Sequence, residues 1–181
     1  SLSVSYQKPL KIVRGAMQYL YDEDGRAYLD TINNVSHLGH CHPELFRAAN
    51  RQMGLLNTNT RYLHDYIVEY ARALTAKLPK ELSVCHFVCT GSEANELALR
   101  MARVFTDRKD IVVVDHAYHG NTGAVIEISP YKFDGPGGKG SADFVHKVKI
   151  PDLYRGEFKQ EDPEAVNKYF NDVKNVLQDM E

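Results

Sequence analysis

Two stretches of this 181-residue chain carry residue types that could do chemistry together: Thr90-Gly91-Ser92-Glu93-Ala94-Asn95 and Asp115-His116-Ala117-Tyr118-His119-Gly120. A short apolar run, Val84 to Val88, leads into the first. Apolar residues then recur at Ala94, Leu97, Ala98, Met101, Ala102 and Phe105, the spacing of one helix face. This pattern predicts a strand, a tight turn and a helix. Thr90 and Glu93 stand at capping-box spacing, so the first helical turn offers free backbone N–H groups; Gly91 allows close approach and Ser92 adds a hydroxyl. Such an end attracts phosphate. A cap that holds no ligand is the other reading of the same residues. The second stretch follows Ile111 to Val114, which reads as a buried strand, and falls where an open parallel sheet delivers its ligand-binding loops. Asp115, directly after that strand, is read as a loop carboxylate accepting from local N–H groups.

The elements that must position these stretches follow from periodicity and punctuation. Residues 17–30 read as a hairpin turning at Asp24-Gly25, with Tyr19, Tyr21 and Tyr28 on its strands. After an irregular segment from Thr31 to His42, Pro43 suits the first turn of a helix running to about Leu55. The next helix carries Leu63, Ile67, Tyr70, Ala71, Leu74 and Leu78 on one face and ends at Pro79. Two strand–helix units, centred on Cys85 and Val113, indicate an α/β fold with a parallel sheet. Gly135-Pro136-Gly137-Gly138-Lys139-Gly140 has no helical pattern after it, so it reads as a mobile surface loop rather than a phosphate loop. A strand near Phe144 to Ile150 and a helix from Pro163 onward follow, the helix with Val166, Phe170, Val173 and Leu177 on one face.

Composition narrows the function classes. Lys plus Arg number 22 against 24 Asp plus Glu, a net charge of −2, which gives no basic footprint for nucleic acid. No apolar run approaches the ~20 residues of a membrane helix, so no membrane partner is expected. The start, Ser1-Leu2-Ser3-Val4-Ser5, lacks Met, a basic region and a long apolar region, which leads us to expect a trimmed or excised piece with no secretory leader. Cys41, Cys85 and Cys89 include no C-x-x-C pair and are expected to be reduced, Cys85 and Cys89 as buried apolar thiols, in the cytoplasm or mitochondrial matrix. His37, His40, Cys41 and His42 form H-x-x-H-C-H, but a tetrahedral site draws on a second separated pair and none stands at a fitting distance, so no metal is expected.

Taken in order, four motifs resemble the class III aminotransferases, fold-type I enzymes that use pyridoxal 5'-phosphate (PLP). They are the strand-hairpin opening Lys11-Ile12-Val13-Arg14-Gly15 with Tyr21-Asp22-Glu23-Asp24-Gly25, the run Asn34-Val35-Ser36-His37-Leu38-Gly39-His40-Cys41-His42-Pro43, the Gly-Ser-Glu-Ala-Asn turn, and the Tyr-His-Gly loop. The resemblance implies a partial PLP-transferase fold type I. Residues 1–55 would be the N-terminal hairpin and helix segment of the small domain, and residues 56–181 the first half of the PLP-binding large domain, with its mainly parallel sheet and flanking helices. It implies that Gly91 and Ser92 hold the cofactor phosphate, that Tyr118 stacks on the pyridine ring, and that His119 and Gly120 shape the loop beneath it. His119 could act as a general base by composition; the resemblance favours a scaffolding role.

On the substrate side, the resemblance places Asn33 and Asn34 at the border of the substrate pocket, and Thr58-Asn59-Thr60-Arg61-Tyr62 near a dimer interface where it can face the active site. A homodimer of the full-length protein is therefore expected. Arg61 suits a substrate phosphate or carboxylate because guanidinium matches either bidentately; a solvated helix-start arginine is the other reading. Leu56-Asn57-Thr58-Asn59-Thr60-Arg61-Tyr62-Leu63-His64-Asp65 and Ile126-Glu127-Ile128-Ser129-Pro130-Tyr131-Lys132-Phe133 resemble the phospho-lyase branch, which releases phosphate and ammonia from phosphoethanolamine or 5-phosphohydroxylysine. Cys89-Thr90 depart from the Asn-Ser usual there, although Thr keeps the capping hydroxyl. The expected function is thus a PLP-dependent reaction of a small primary amine, with an ordinary transaminase moving an amino group to a 2-oxo acid as the alternative. The family's Schiff-base lysine and the aspartate facing the pyridine nitrogen lie C-terminal to the matched stretch. No lysine here takes that role, no residue is assigned as catalytic, and the isolated chain is expected to be an inactive fragment.

Overall fold

The computed structural model of the chain describes residues 4, 6–33, 36–59 and 61–180. The expectations placed on Asn34, Val35 and Thr60, and on most of the first five residues, lie outside them. Two compact units emerge, Ser1–Glu69 and Tyr70–Glu181.

In the first unit, β1 (Ile12–Ala16), β2 (Tyr19–Asp22) and β3 (Ala27–Leu29) form an antiparallel sheet in the order β1-β2-β3. The β2–β3 turn lies at Asp24-Gly25 as expected, with Gly25 at φ +81°, a left-handed conformation that glycine adopts without strain. Asp22 stitches it: Oδ1 accepts from the amides of Arg26 (2.8 Å) and Asp24 (3.1 Å), and Oδ2 accepts from the Tyr28 hydroxyl (2.7 Å). The Tyr28 bond is the main cause holding the Asp22 carboxyl below its ordinary range. Helix α1 spans Pro43–Leu55, with Pro43 in its first turn. Helix α2, Asp65–Thr75, which runs across the boundary between the units, is shorter than its apolar spacing suggests. Leu63 precedes it, because His64 Nδ1 accepts the Tyr66 amide (3.2 Å) and so takes up a first-turn donor. Leu78 follows it, in a turn where its own amide donates to Thr75 O (3.0 Å).

In the second unit, helix α3 (Gly91–Thr106) is followed by β4 (Ile111–Val114), the short helices α4 (Gly123–Glu127) and α5 (Pro130–Phe133), β5 (Val145–Val148) and helix α6 (Ala165–Asp179). β4 and β5 pair in parallel, Ile111 opposite Val145 and Val114 opposite Val148. Val113, Val125, Ile128, Phe133 and Val145 form the core, with Leu99, Ile111, Ala142 and Phe144 packed against it.

Several expectations change here. Val84 to Val88 joins no ladder among the described residues. A strand exists only through a partner's N–H and C=O groups, and without one Val84 is 77% exposed, Cys85 half-buried and Cys89 exposed rather than buried. Helix α3 packs through Ser92, Glu96, Leu97, Leu99 and Arg103; Leu97 belongs to the expected face, whereas Met101 and Phe105 of that face are exposed. The packed side is the one where Thr122 donates to the Glu96 carboxylate and the Arg103 guanidinium lies 5.4 Å from the Phe144 ring centre. Helix α6 buries Ala165 and Tyr169 and half-buries Val173, leaving Val166, Phe170 and Leu177 of the expected face exposed, because the Tyr169 hydroxyl reaches the adjoining loop, donating to Asp152 O (3.0 Å) and accepting from the Phe158 amide (3.1 Å). The glycine-rich 135–140 stretch is a turn stitched by Gly138 N to Gly135 O (2.9 Å) and Gly140 N to Phe133 O (3.0 Å). Among the described residues no helix is long and apolar enough to cross a membrane.

Candidate active site

The capping box is present at the start of α3. Thr90 Oγ1 accepts the Glu93 amide (3.1 Å), while Glu93 Oε2 turns back to accept the amides of Cys89 (2.7 Å) and Thr90 (3.1 Å). The nearest carboxylate is therefore occupied with local donors. Among the described residues the amides of Gly91 and Ser92 have no acceptor, and a Cβ added at Gly91 would meet nothing within 4 Å. Two free amides, the positive end of a 16-residue helix and an approachable backbone can hold a phosphate.

The loop after β4 closes onto this turn. His116, at φ +62°, redirects the chain out of the strand, and Asp115 Oδ1 accepts its amide (2.8 Å), the local role expected of that carboxylate. Gly120 sits at φ +142°, where a Cβ would lie 2.7 Å from both Ser92 Oγ and Val125 Cγ2. Only glycine lets the loop lie directly on Ser92. The Asn121 amide then donates to Ser92 Oγ (3.0 Å), leaving the Ser92 hydroxyl proton for another acceptor. Tyr118 is 53% exposed, its ring edge-on to Tyr131 at 6.0 Å. Among the described residues the His119 Nε2 atom is buried without a hydrogen-bond partner. A phosphate-bearing planar ring fits this arrangement: anion donors at one end and an exposed aromatic face in the adjoining loop.

In the second unit the loop that carries Tyr118 and His119 thus lies against the helix start that carries Gly91 and Ser92. Asn33, Arg61 and Tyr62 belong to the first unit. Asn33 is held by Asp30, whose Oδ1 accepts the Asn33 amide (3.0 Å) and whose Oδ2 accepts its side-chain Nδ2 (2.7 Å); the same Oδ2 meets His40 Nε2 at 2.6 Å. These bonds, the Asn33 amide first, hold the nearly buried Asp30 carboxyl far below the usual range. Arg61 is exposed and forms no ion pair among the described residues, its amide donating to Asn59 Oδ1 (3.1 Å). Tyr62 lines a cleft with Leu56, Asn57, His64 and Tyr66. Among the described residues no three His, Cys, Asp or Glu side chains converge as a metal site would need. Asn95 and Ser129 were missed as site residues. Asn95 lies one helical turn beyond Ser92, a spacing that could have flagged it; Ser129, before Pro130, carries no comparable signal.

The profile of the aminotransferase class-III family matches residues 2–180. An alanine–glyoxylate aminotransferase 2-like protein from Drosophila melanogaster is 59% identical over 150 residues, covering 83% of this chain and 30% of that protein. An ethanolamine-phosphate phospho-lyase homologue from Caenorhabditis elegans is 40% identical over 182 residues, covering 96% and 39%. Among solved structures, a phospholyase from Arthrobacter in complex with phosphoethanolamine superposes with a TM-score of 0.83 at 36% identity, covering 96% of this chain and 40% of that one. The matched part of the chain spans 30% to 40% of the length of these relatives. It belongs to the aminotransferase class-III family of PLP-dependent enzymes.

Proposed function

We propose that the full-length protein is a PLP-dependent phospho-lyase that releases phosphate and ammonia from a small phosphorylated primary amine, phosphoethanolamine or 5-phosphohydroxylysine. The observation that carries this reading is the 36% identity, over nearly the whole chain, to a phospholyase whose structure holds phosphoethanolamine. PLP would supply the electron sink for bond breaking beside the substrate nitrogen. The amides of Gly91 and Ser92 and the Ser92 hydroxyl bind and orient the cofactor phosphate. Tyr118 covers one face of the ring and excludes water from it. His119 shapes the loop, its backbone amide and carbonyl both held by side chains. Asn33, Arg61 and Tyr62 serve the substrate side, with the exposed Arg61 guanidinium fitted to the substrate phosphate. The catalytic lysine belongs to the remainder of the full-length protein, which acts as a homodimer. Residues 1–55 go with the small domain and 56–181 with the large domain, in the cytoplasm or mitochondrial matrix.

A second reading, an ordinary transaminase, is favoured by the 59% identity to the aminotransferase-like Drosophila protein. The two separate cleanly in solution. Full-length enzyme given phosphoethanolamine without any 2-oxo acid should release phosphate and ammonia in equal amounts. Nitrogen transfer that requires a 2-oxo acid, with no phosphate released, would establish the transaminase instead.

A further inference from the structure

We infer that Ser129 and Asn95 are positioning residues that hold Tyr118 in place by gripping the residue beside it from both sides; the inference rests on the reading of Tyr118 as the ring-covering residue. The His119 amide donates to Ser129 Oγ (2.9 Å), and the His119 carbonyl accepts from Asn95 Nδ2 (2.7 Å). Both backbone groups of one loop residue are therefore taken by side chains. Neither bond is a product of regular secondary structure. Ser129 is fully buried, and its hydroxyl is used twice, accepting from His119 and donating to Val125 O (2.6 Å). This fixes the loop to Val125, itself without solvent exposure, in the centre of the core.

Asn95 supplies the other attachment. It stands on α3 one turn after Ser92, so the helix that presents the free amides also carries the donor that sets the height of the Tyr118 loop. The Tyr131 amide adds a third tie, donating to Ala117 O (3.1 Å) on the other side of Tyr118. Tyr118 is thus bracketed by residues with anchored backbones while its own ring stays exposed. An exposed side chain on an anchored backbone suits a face that must meet a ligand at a set distance, because the ordering entropy is met on folding rather than on binding.

The test is a double-mutant cycle in the full-length holoenzyme, read by the cofactor dissociation constant and by the circular dichroism of the bound-cofactor absorption band. Ser129→Ala leaves the His119 amide unpaired and should weaken cofactor binding about tenfold with a diminished dichroic band. In a Tyr118→Ala background the same change should cost less than about twofold, because the residue being positioned is gone. An undiminished tenfold cost in that background would show that Ser129 supports the fold and not Tyr118, and the inference would fall. Should Ser129→Ala not fold, Asn95→Ala, which alters an exposed bond, goes through the same cycle and decides the matter by the same criterion. If Tyr118→Ala alone leaves both the constant and the dichroism unchanged, the ring-covering reading itself is wrong and the inference falls with it. A change in Tyr118→Ala without coupling to Ser129 or Asn95 overturns the inference alone.

Discussion

The two units hold their candidate site residues in opposite ways. In Tyr70–Glu181 the site loop is tied to an apolar core: Val125 and Ser129 have no exposed surface, and Gly120 lies against Val125. In Ser1–Glu69 no described residue is buried, and the fixed points are polar, with Asp30 holding His40 and Asn33 and the Met17 and His40 backbones bonding each other at 2.7 and 2.8 Å. The difference teaches where each half is vulnerable. Loss of volume or shape should damage the second unit, and loss of charge should damage the first.

The largest effect should come from Val125→Asp, which places an unpaired charge in the core and costs about 4 kcal/mol or more. Thermal unfolding of the full-length protein would show it as a loss of the folded enzyme; a stable variant would mean that the core does not support the site. Next is Gly120→Ala, which forces a Cβ into Ser92 and Val125 at a φ that other residues avoid, at about 3 kcal/mol. Cofactor affinity should fall with it, and unchanged affinity would separate the Tyr-His-Gly loop from the helix start.

The first unit answers to Asp30→Asn, expected to lower the melting temperature at neutral pH through the lost carboxylate bonds, by less than either of the preceding changes in the second unit. Because Asp30 titrates below its ordinary value when folded, its contribution is complete above about pH 4 and is lost as pH falls through the lower folded value. Melting curves between pH 2 and 6 should therefore be less steep for Asp30→Asn than for the wild type. Parallel curves would remove Asp30 as the fixed point. The smallest effect, about 1 kcal/mol, belongs to Thr90→Ala, which opens the capping box. Helix α3 should remain, with faster exchange of its first-turn amides; unchanged exchange would assign those amides another protector.

Much of this was legible because it is local. The capping box needs only Thr90 and Glu93 at the right spacing, the hairpin only Asp24-Gly25 between tyrosine-bearing strands, and α1 only Pro43 at its start. Each is decided within one or two turns of chain. The packed sides of α3 and α6 were legible only in part, at Leu97 and Val173, since apolar periodicity says that a helix has a preferred side but not which neighbour will claim it. Glu96 and Arg103 pack while Phe105 is 91% exposed, because α4 and Phe144 are what α3 meets.

By itself the sequence determined the family motifs, the capped Gly-Ser turn and the residue types of the candidate site, all of which depend on neighbours in the chain. Only the tertiary structure decided that Gly120 would rest on Ser92, 28 positions away, and that Ser129 and Asn95 would grip His119 from opposite sides. Those contacts join segments far apart in sequence, and their partners are chosen by close packing around Val113, Val125 and Phe133, which no local spacing encodes.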